Sequence, residues 1–182
     1  MGRNAKIISK SRVLGVDLLM ILVALGTQDK EFIRLPIEIE NLINKGIIKD
    51  KVIVQIGNTK FKTNLPKAKM EVIEFTNMNQ MTNLIKSADL IITHGGVATI
   101  IEGINYGKKI IAVPRLKKYK EHVNDHQIQI IENFDKSGYI VGAFGVEKIE
   151  EALEKVQNII PKKYVSNNAN FISKLEDKTN SL

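Results

Sequence analysis

At 182 residues the chain is long enough for one domain with a substantial core and too short for two full α/β domains. Its 27 Lys and Arg against 20 Asp and Glu give a formal charge of +7, which suits an acidic partner. No basic stripe interleaves with stacking aromatics, so no nucleic acid partner is expected. The absence of cysteine excludes disulfides and cysteine-ligated zinc, and the longest apolar run, Val16 to Leu25 broken by Asp17, is too short to span a bilayer.

Residues 1–19, with Arg3, Lys6, Lys10 and Arg12, carry no motif and read as an extension, Met20 being an alternative start. Met20 to Leu25 is a continuous apolar run ending at Gly26, the pattern of a strand buried on both faces. Phe32, Leu35, Ile39, Leu42 and Ile43 recur at helical spacing, and Gly46 supplies a stop. Lys51 to Ile56 reads as a second strand closed by Gly57-Asn58, and Glu71 to Phe75 as a third. Met81, Leu84, Ile85 and Ala88 mark a helix before a fourth strand, Leu90 to Thr93, and a further helical pattern opens directly after His94-Gly95-Gly96. Ile110 to Val113 is a fifth strand stopped by Pro114. A helix from about Asn124 to Phe134 ends before Gly138, and Tyr139 to Val141 gives a short sixth strand. An amphipathic helix follows from Val146 to Ile160. Alternation of strands and helices predicts a single doubly wound α/β domain with a parallel sheet over residues 20–162. Residues 163–182 read as a polar tail in which Phe171, Ile172 and Leu175 could form a short helix.

The apolar run that ends in His94-Gly95-Gly96 is the most informative stretch. Adjacent glycines let the backbone approach a ligand, and the helix behind them aims unpaired N–H groups and its positive dipole end at the same place, which is a cradle for phosphate. Glu102, roughly two turns further along that helix, is placed to accept hydrogen bonds from a ribose diol. In doubly wound sheets ligands lie beyond the carboxyl ends of the strands where strand order reverses. If the first strand is central and the fourth is its neighbour across the switch, the Gly26-Thr27-Gln28 and His94-Gly95-Gly96 loops face each other across one site. A dinucleotide domain fits poorly, because Gly26-Thr27-Gln28-Asp29-Lys30-Glu31 holds one glycine where G-x-G-x-x-G needs three, and Gln55-Ile56-Gly57-Asn58 lacks a ribose acid. No P-loop motif is present either.

The ordered set Gly95-Gly96-x-x-Thr99-x-x-Glu102, Val113-Pro114 and His122-Val123-Asn124-Asp125-His126-Gln127 resembles the donor-binding half of GT-B glycosyltransferases, the family 28 carboxyl-terminal domain. The likeness extends over about Met20 to Tyr139. It is greatest to the small subunits of two-part enzymes, in the dolichol pathway and in bacterial capsule and exopolysaccharide synthesis. The resemblance implies a Rossmann-like GT-B half that binds a UDP-sugar. Gly26, Thr27 and Gln28 would face the phosphates; Phe75 to Met78, Thr76 foremost, would pair the uracil edge. Gly95, Gly96 and Thr99 would hold the diphosphate, Glu102 the ribose, and Asp125, His126 and Gln127 the donor sugar. It implies an inverting transferase that uses no metal or other cofactor and extends a lipid-linked saccharide. Full-length members carry an amino-terminal acceptor domain, for which this chain has no room. The acceptor side is therefore expected from a membrane-associated partner subunit, which would hold the chain at the cytoplasmic face of the membrane.

Plainer readings stand beside these. The glycines could simply make the turn, His94 could be a packed strand-end residue, and Glu102 could be a solvated helix residue. His122 and His126, at i and i+4, would suit a zinc pair, but no third ligand is evident. Arg115 to Lys120 reads as a solvated loop able to meet phosphate, a partner or lipid headgroups. The general base is unassigned, with His94 a candidate catalytic residue. A non-catalytic companion that enhances a partner transferase is the alternative function, and a sugar-nucleotide epimerase a third.

Overall fold

The computed structural model describes residues 12–13, 16–17 and 20–163. The expectations for the rest of the first nineteen residues and for the tail, with its short helix, lie outside the described residues. Arg12–Val13 (β1) and Val16–Asp17 (β2) pair antiparallel as a separate two-stranded sheet that no sequence signal had indicated.

The apolar run from Met20 becomes β3 (Met20–Ala24), buried from Ile21 onward. It is followed in chain order by α1 (Arg34–Asn44), β4 (Lys51–Gln55), β5 (Met70–Ile73), α2 (Met78–Ser87) and β6 (Leu90–Thr93). Then come α3 (Val97–Asn105), β7 (Lys109–Ala112), α4 (His126–Lys136), β8 (Val141–Gly142) and α5 (Ile149–Gln157). The strands β3 to β8 form one parallel sheet in the order β5-β4-β3-β6-β7-β8. The sheet is doubly wound, with the reversal of strand order between β3 and β6, where the sequence placed it.

Alternation along the strands sorts the core into two layers. Ile21, Val23 and Leu25 of the first strand and its exit, with Leu90 and Ile92 of β6, pack with Leu35, Ile39, Leu42, Leu153 and Val156, so α1 and α5 cover one face. Leu22, Ile91 and Ile110 point the other way, onto Ile85, Ile100, Ile104 and Ile131 of α2, α3 and α4. Both faces of the central strands are therefore dry, which is why β3 reads as an unbroken apolar run rather than an alternating one.

Several boundaries differ from expectation by a residue or two, and the sixth strand differs for an identifiable reason. Gly138 adopts φ +68, its N–H donates to Asp135 O (2.8 Å), and Tyr139 N–H donates to Phe134 O (3.0 Å). This Schellman closure of α4 is completed by an edge-on contact of the Phe134 and Tyr139 rings, with centroids 6.3 Å apart. Tyr139, expected to open the strand, is thus consumed by the helix cap, and β8 starts at Val141. The final helix is likewise shortened, since Val146–Lys148 winds as a 3₁₀ turn before α5.

Candidate functional site

The registers Ala24↔Gln55 and Ala24↔Thr93 bring the carboxyl ends of β3, β4 and β6 level with one another. Directly beyond them lies a cavity of about 640 Å³. Its walls include Gly26, Thr27 and Gln28 from the β3 exit, His94 and Gly96 from the β6 exit, and Ala98, Thr99 and Glu102 from α3. Thr76, Asn77, Met78 and Met81 close the side nearest α2.

His94 organises the floor. Gly26, at φ +79, could carry no side chain, since a Cβ would lie 2.7 Å from His94 Cε1. Gly96 has an ordinary backbone, φ −76 and ψ 113, so it is glycine for space alone: a Cβ there would collide with the same ring. The two glycine loops therefore face each other with an imidazole wedged between them. Burial pushes the His94 pKa down from 6.5 to about 4, and the charges of Arg115 and His122 add to that, against a hydrogen bond with the Ala24 backbone. The ring is neutral at physiological pH.

α3 opens at Gly96 with no side-chain cap. Its first-turn N–H groups and positive dipole end consequently face the cavity without a competing side-chain oxygen, as an anion site requires. Glu102 lies further along α3, partly buried, and accepts a hydrogen bond from Thr82 Oγ1 (2.6 Å), which fixes the carboxylate against α2. Across the cavity, the buried Gln55 side chain stitches the opposite loop. Its Oε1 accepts from Gly26 N–H (3.1 Å), and its Nε2 donates to Gly26 O (3.2 Å) and Glu74 O (3.1 Å). Asn77 caps α2 in a reciprocal capping box with Gln80.

Of the residues expected from sequence, Gly26, Thr27, Gln28, Thr76, Met78, His94, Gly96, Thr99 and Glu102 meet at this cavity. The others sit elsewhere. Phe75 is 55% exposed and lines a neighbouring depression with Gln80 and Leu84. Gly95 is buried and turned away from the cavity, its N–H donating to Gln127 Oε1 (3.1 Å). Gln127 is buried behind the loop, where the same oxygen also accepts from Arg115 N–H (3.0 Å). Asp125 accepts from Lys117 N–H (2.8 Å), and the exposed His126 ring meets Gln129 Oε1 (3.0 Å). Asp125, His126 and Gln127 are absent from the cavity wall.

Asn77 falls within the expected Phe75 to Met78 stretch, whereas Gln55, Met81 and Ala98 were not anticipated. A signal existed for Gln55, a polar residue ending an otherwise apolar strand. The structure also corrects the view of Arg115 as part of a solvated loop. Arg115 is 1% exposed, because its guanidinium finds buried carbonyl acceptors at Leu25 (2.7 Å) and Lys30 (2.6 Å) and the Phe32 ring at 5.1 Å. Burial lowers its pKa to about 10, with Glu121 and Asp29 acting in the opposite direction. Lys117, Lys118 and Lys120 alone carry the exposed charge of that loop. The i, i+4 spacing of His122 and His126 does not put them on one helix face, since α4 starts only at His126. Among the described residues no group of three His, Asp or Glu side chains converges as a metal-binding set.

Residues 20–181 match the glycosyltransferase family 28 C-terminal domain. The chain belongs to that family. It is 26% identical over 101 residues to the UDP-N-acetylglucosamine transferase subunit ALG13 of Candida albicans, an alignment that covers 56% of this chain and 29% of that protein. Among solved structures, the kitacinnamycin glycosyltransferase superposes with a TM-score of 0.60 at 19% identity, over 87% of this chain and 39% of that one. MurG of Acinetobacter baumannii gives 0.56 at 20% identity, over 76% and 40%. Os79 of O. sativa, in complex with UDP, gives 0.56 at 18%, over 77% and 32%. At these identities the structural likeness establishes the fold, and the chain corresponds to about two fifths or less of each of these proteins.

Proposed function

We propose that the chain is the donor-binding part of an inverting, metal-independent glycosyltransferase that takes a sugar from a UDP-sugar and adds it to a lipid-linked saccharide in capsule or exopolysaccharide synthesis. A partner subunit at the cytoplasmic face of the membrane supplies the acceptor side. The observation that carries the proposal is the uncapped amino terminus of α3 facing the Gly26 loop across a cavity of about 640 Å³, with Glu102 on its wall. In such a site the leaving UDP acquires negative charge, which backbone N–H groups and the helix end stabilise without reorganising. Glu102, held by Thr82, accepts the ribose hydroxyls, while Thr76 and its neighbours meet the base. Gly95 and Gln127 act from behind, by shaping the loop rather than by touching the donor. His94, neutral and packed beneath both loops, is a poor base in the free chain, so the base that deprotonates the acceptor hydroxyl comes from the partner's side of the cleft. The name of the Candida relative, a UDP-N-acetylglucosamine transferase subunit, supports both the donor class and a divided enzyme. No helix among the described residues is long and apolar enough to cross a membrane.

Titration calorimetry with UDP and a panel of UDP-sugars, in chelator and without divalent metal, tests the reading. Binding of UDP and at least one UDP-sugar is expected. Failure of every nucleotide to bind with or without metal would overturn the proposal.

A further inference from the structure

Behind the Gly26 loop, on the side away from the cavity, three charges are packed together. Arg115 Nη2 donates to Leu25 O (2.7 Å) and Nη1 to Lys30 O (2.6 Å), so one guanidinium brackets both ends of the segment that presents Gly26, Thr27 and Gln28. Glu121, 3% exposed, receives Arg34 Nε and Nη2 (2.7 Å each) and Leu116 N–H (3.0 Å). The Arg34 guanidinium rests on the Tyr119 ring at 4.0 Å. The main chain of Arg115 reaches the other glycine loop, because its N–H and that of Gly95 share Gln127 Oε1.

Burying such a cluster is costly, and an apolar replacement of similar volume is commonly as stable, so retention of the charges calls for another reason. Nη2 and Nη1 of Arg115 donate to loop carbonyls at the mouth of the sheet, Nη1 also approaching Glu121 O (3.4 Å), while its buried Nε has no partner among the described residues.

We infer that Arg115 is a positioning residue that holds the Gly26–Gln28 lip in shape and, through Gln127, in register with the His94–Gly96 loop, so that both lips present their backbone donors to one nucleotide diphosphate. The inference rests on the donor-site proposal for its ligand and on the hydrogen-bond network for its mechanism. Preorganisation of this kind avoids the cost of ordering two loops at the moment of binding. Burial is the main cause of the depressed His94 pKa, and the Arg115 charge acts in the same direction.

The test compares the full chain with Arg115→Lys, which keeps the charge and loses the two-armed fork. Amide hydrogen exchange is followed in the free protein, and UDP and uridine are titrated separately. Exchange is expected to rise in residues 26–30 and 95–97 together while the amides of β3 and β6 stay protected. UDP affinity is expected to fall about tenfold or more, as for a lost charge-assisted hydrogen bond, with uridine affinity changed by less than about twofold. Equal losses for UDP and uridine, or exchange rising evenly through the sheet, would reduce Arg115 to a general structural role and overturn the inference. Should Arg115→Lys fail to fold, Arg34→Lys loosens Glu121 from a position outside the lip and gives the same comparisons. If the wild-type chain binds no UDP, the donor-site proposal fails. The clamp is then decided on exchange alone, where lips as protected in the variant as in the wild type sink it.

Discussion

The space under the two glycine loops is filled by one imidazole, and this makes Gly96 and His94 a coupled pair. Gly96→Ala drives a methyl into the His94 ring, so it is expected to cost stability as well as nucleotide affinity. In a His94→Ala background the methyl has room, and the stability cost of Gly96→Ala should largely vanish. Chemical denaturation of the four-member cycle measures this, and additive losses would show that the two residues do not share the space. The same burial sets a pH dependence. His94 binds its proton with a pKa near 4 when folded and near 6.5 when unfolded, so below pH 6.5 the unfolded chain takes up a proton that the folded chain refuses. Stability is therefore full above pH 6.5 and declines as pH falls from 6.5 towards 4, by at most about 3 kcal/mol. Denaturant midpoints between pH 7.5 and 4.5 should show a slope that flattens in His94→Asn. Glu102 is the third residue at this scale. Replacing it with Ala removes hydrogen bonds to a charged group worth about 1.5–3 kcal/mol, so UDP affinity should drop roughly ten- to a hundredfold with the melting temperature little changed. Unaltered UDP affinity in folded Glu102→Ala would take Glu102 out of the site. Glycine, histidine and glutamate could be picked out because their spacing carries chemistry. Arg115 could not: within Arg-Leu-Lys-Lys-Tyr-Lys it looks like a solvated lysine-rich loop, and only Leu25 O and Lys30 O, far away in sequence, make its burial tolerable.

At the scale of elements, α2 and α3 begin in opposite ways. α2 is closed by the Asn77 and Gln80 capping box, with hydrogen bonds of 2.9 and 3.0 Å, whereas α3 has none. A cap satisfies the very N–H groups that an anion needs; α1, α4 and α5 also start without one, and what sets α3 apart is that its uncapped start lies on the cavity wall. Asn77→Ala is accordingly expected to lower stability by about 1 kcal/mol with an unchanged denaturant slope, measured by urea unfolding. Strands β3, β4 and β6 were legible because burial on both faces leaves a continuous apolar run that only a parallel sheet explains. The ends of β5 and β8 were not, because there backbone partners decide. Gly57 N–H bonds Glu74 O beyond the end of β5, and the Schellman closure around Gly138 takes Tyr139. Short-range pattern does not report which carbonyl will accept a given N–H, and so the boundaries shift while the elements persist.

For the molecule as a whole, the order β5-β4-β3-β6-β7-β8 puts every candidate group from β3, β4 and β6 at one end of the sheet, and the reversal at β3 and β6 opens the crevice there. The alternation of patterns gave the parallel, doubly wound sheet, and the neighbouring of β3 and β6 was a supposition that the strand order bears out. Asp125, His126 and Gln127, grouped as sugar contacts, are not gathered on the cavity wall: Gln127 accepts from Gly95 and Arg115, and the other two lie outside the cavity. The segment 117–126, largely exposed and bearing Lys117, Lys118, Lys120, Tyr119 and Val123, borders the carboxyl-end face where a second wall would stand. A GT-B site lies in a cleft between two such walls, and orienting donor against acceptor is worth roughly 7–11 kcal/mol of barrier. In the proposed divided site, this wall would hold the donor while the partner holds the acceptor against the anomeric carbon. The purified chain is therefore expected to bind UDP-sugar and to transfer sugar slowly or not at all, and a membrane-associated acceptor-binding subunit should restore transfer to a lipid-linked saccharide. Co-purification with a candidate partner followed by a transfer assay measures both halves, with Glu102→Ala and Gly96→Ala run in parallel. Full activity from the chain alone would refute the divided site. Activity of the complex that is indifferent to both substitutions would place the donor site in the partner and leave this chain as its enhancer.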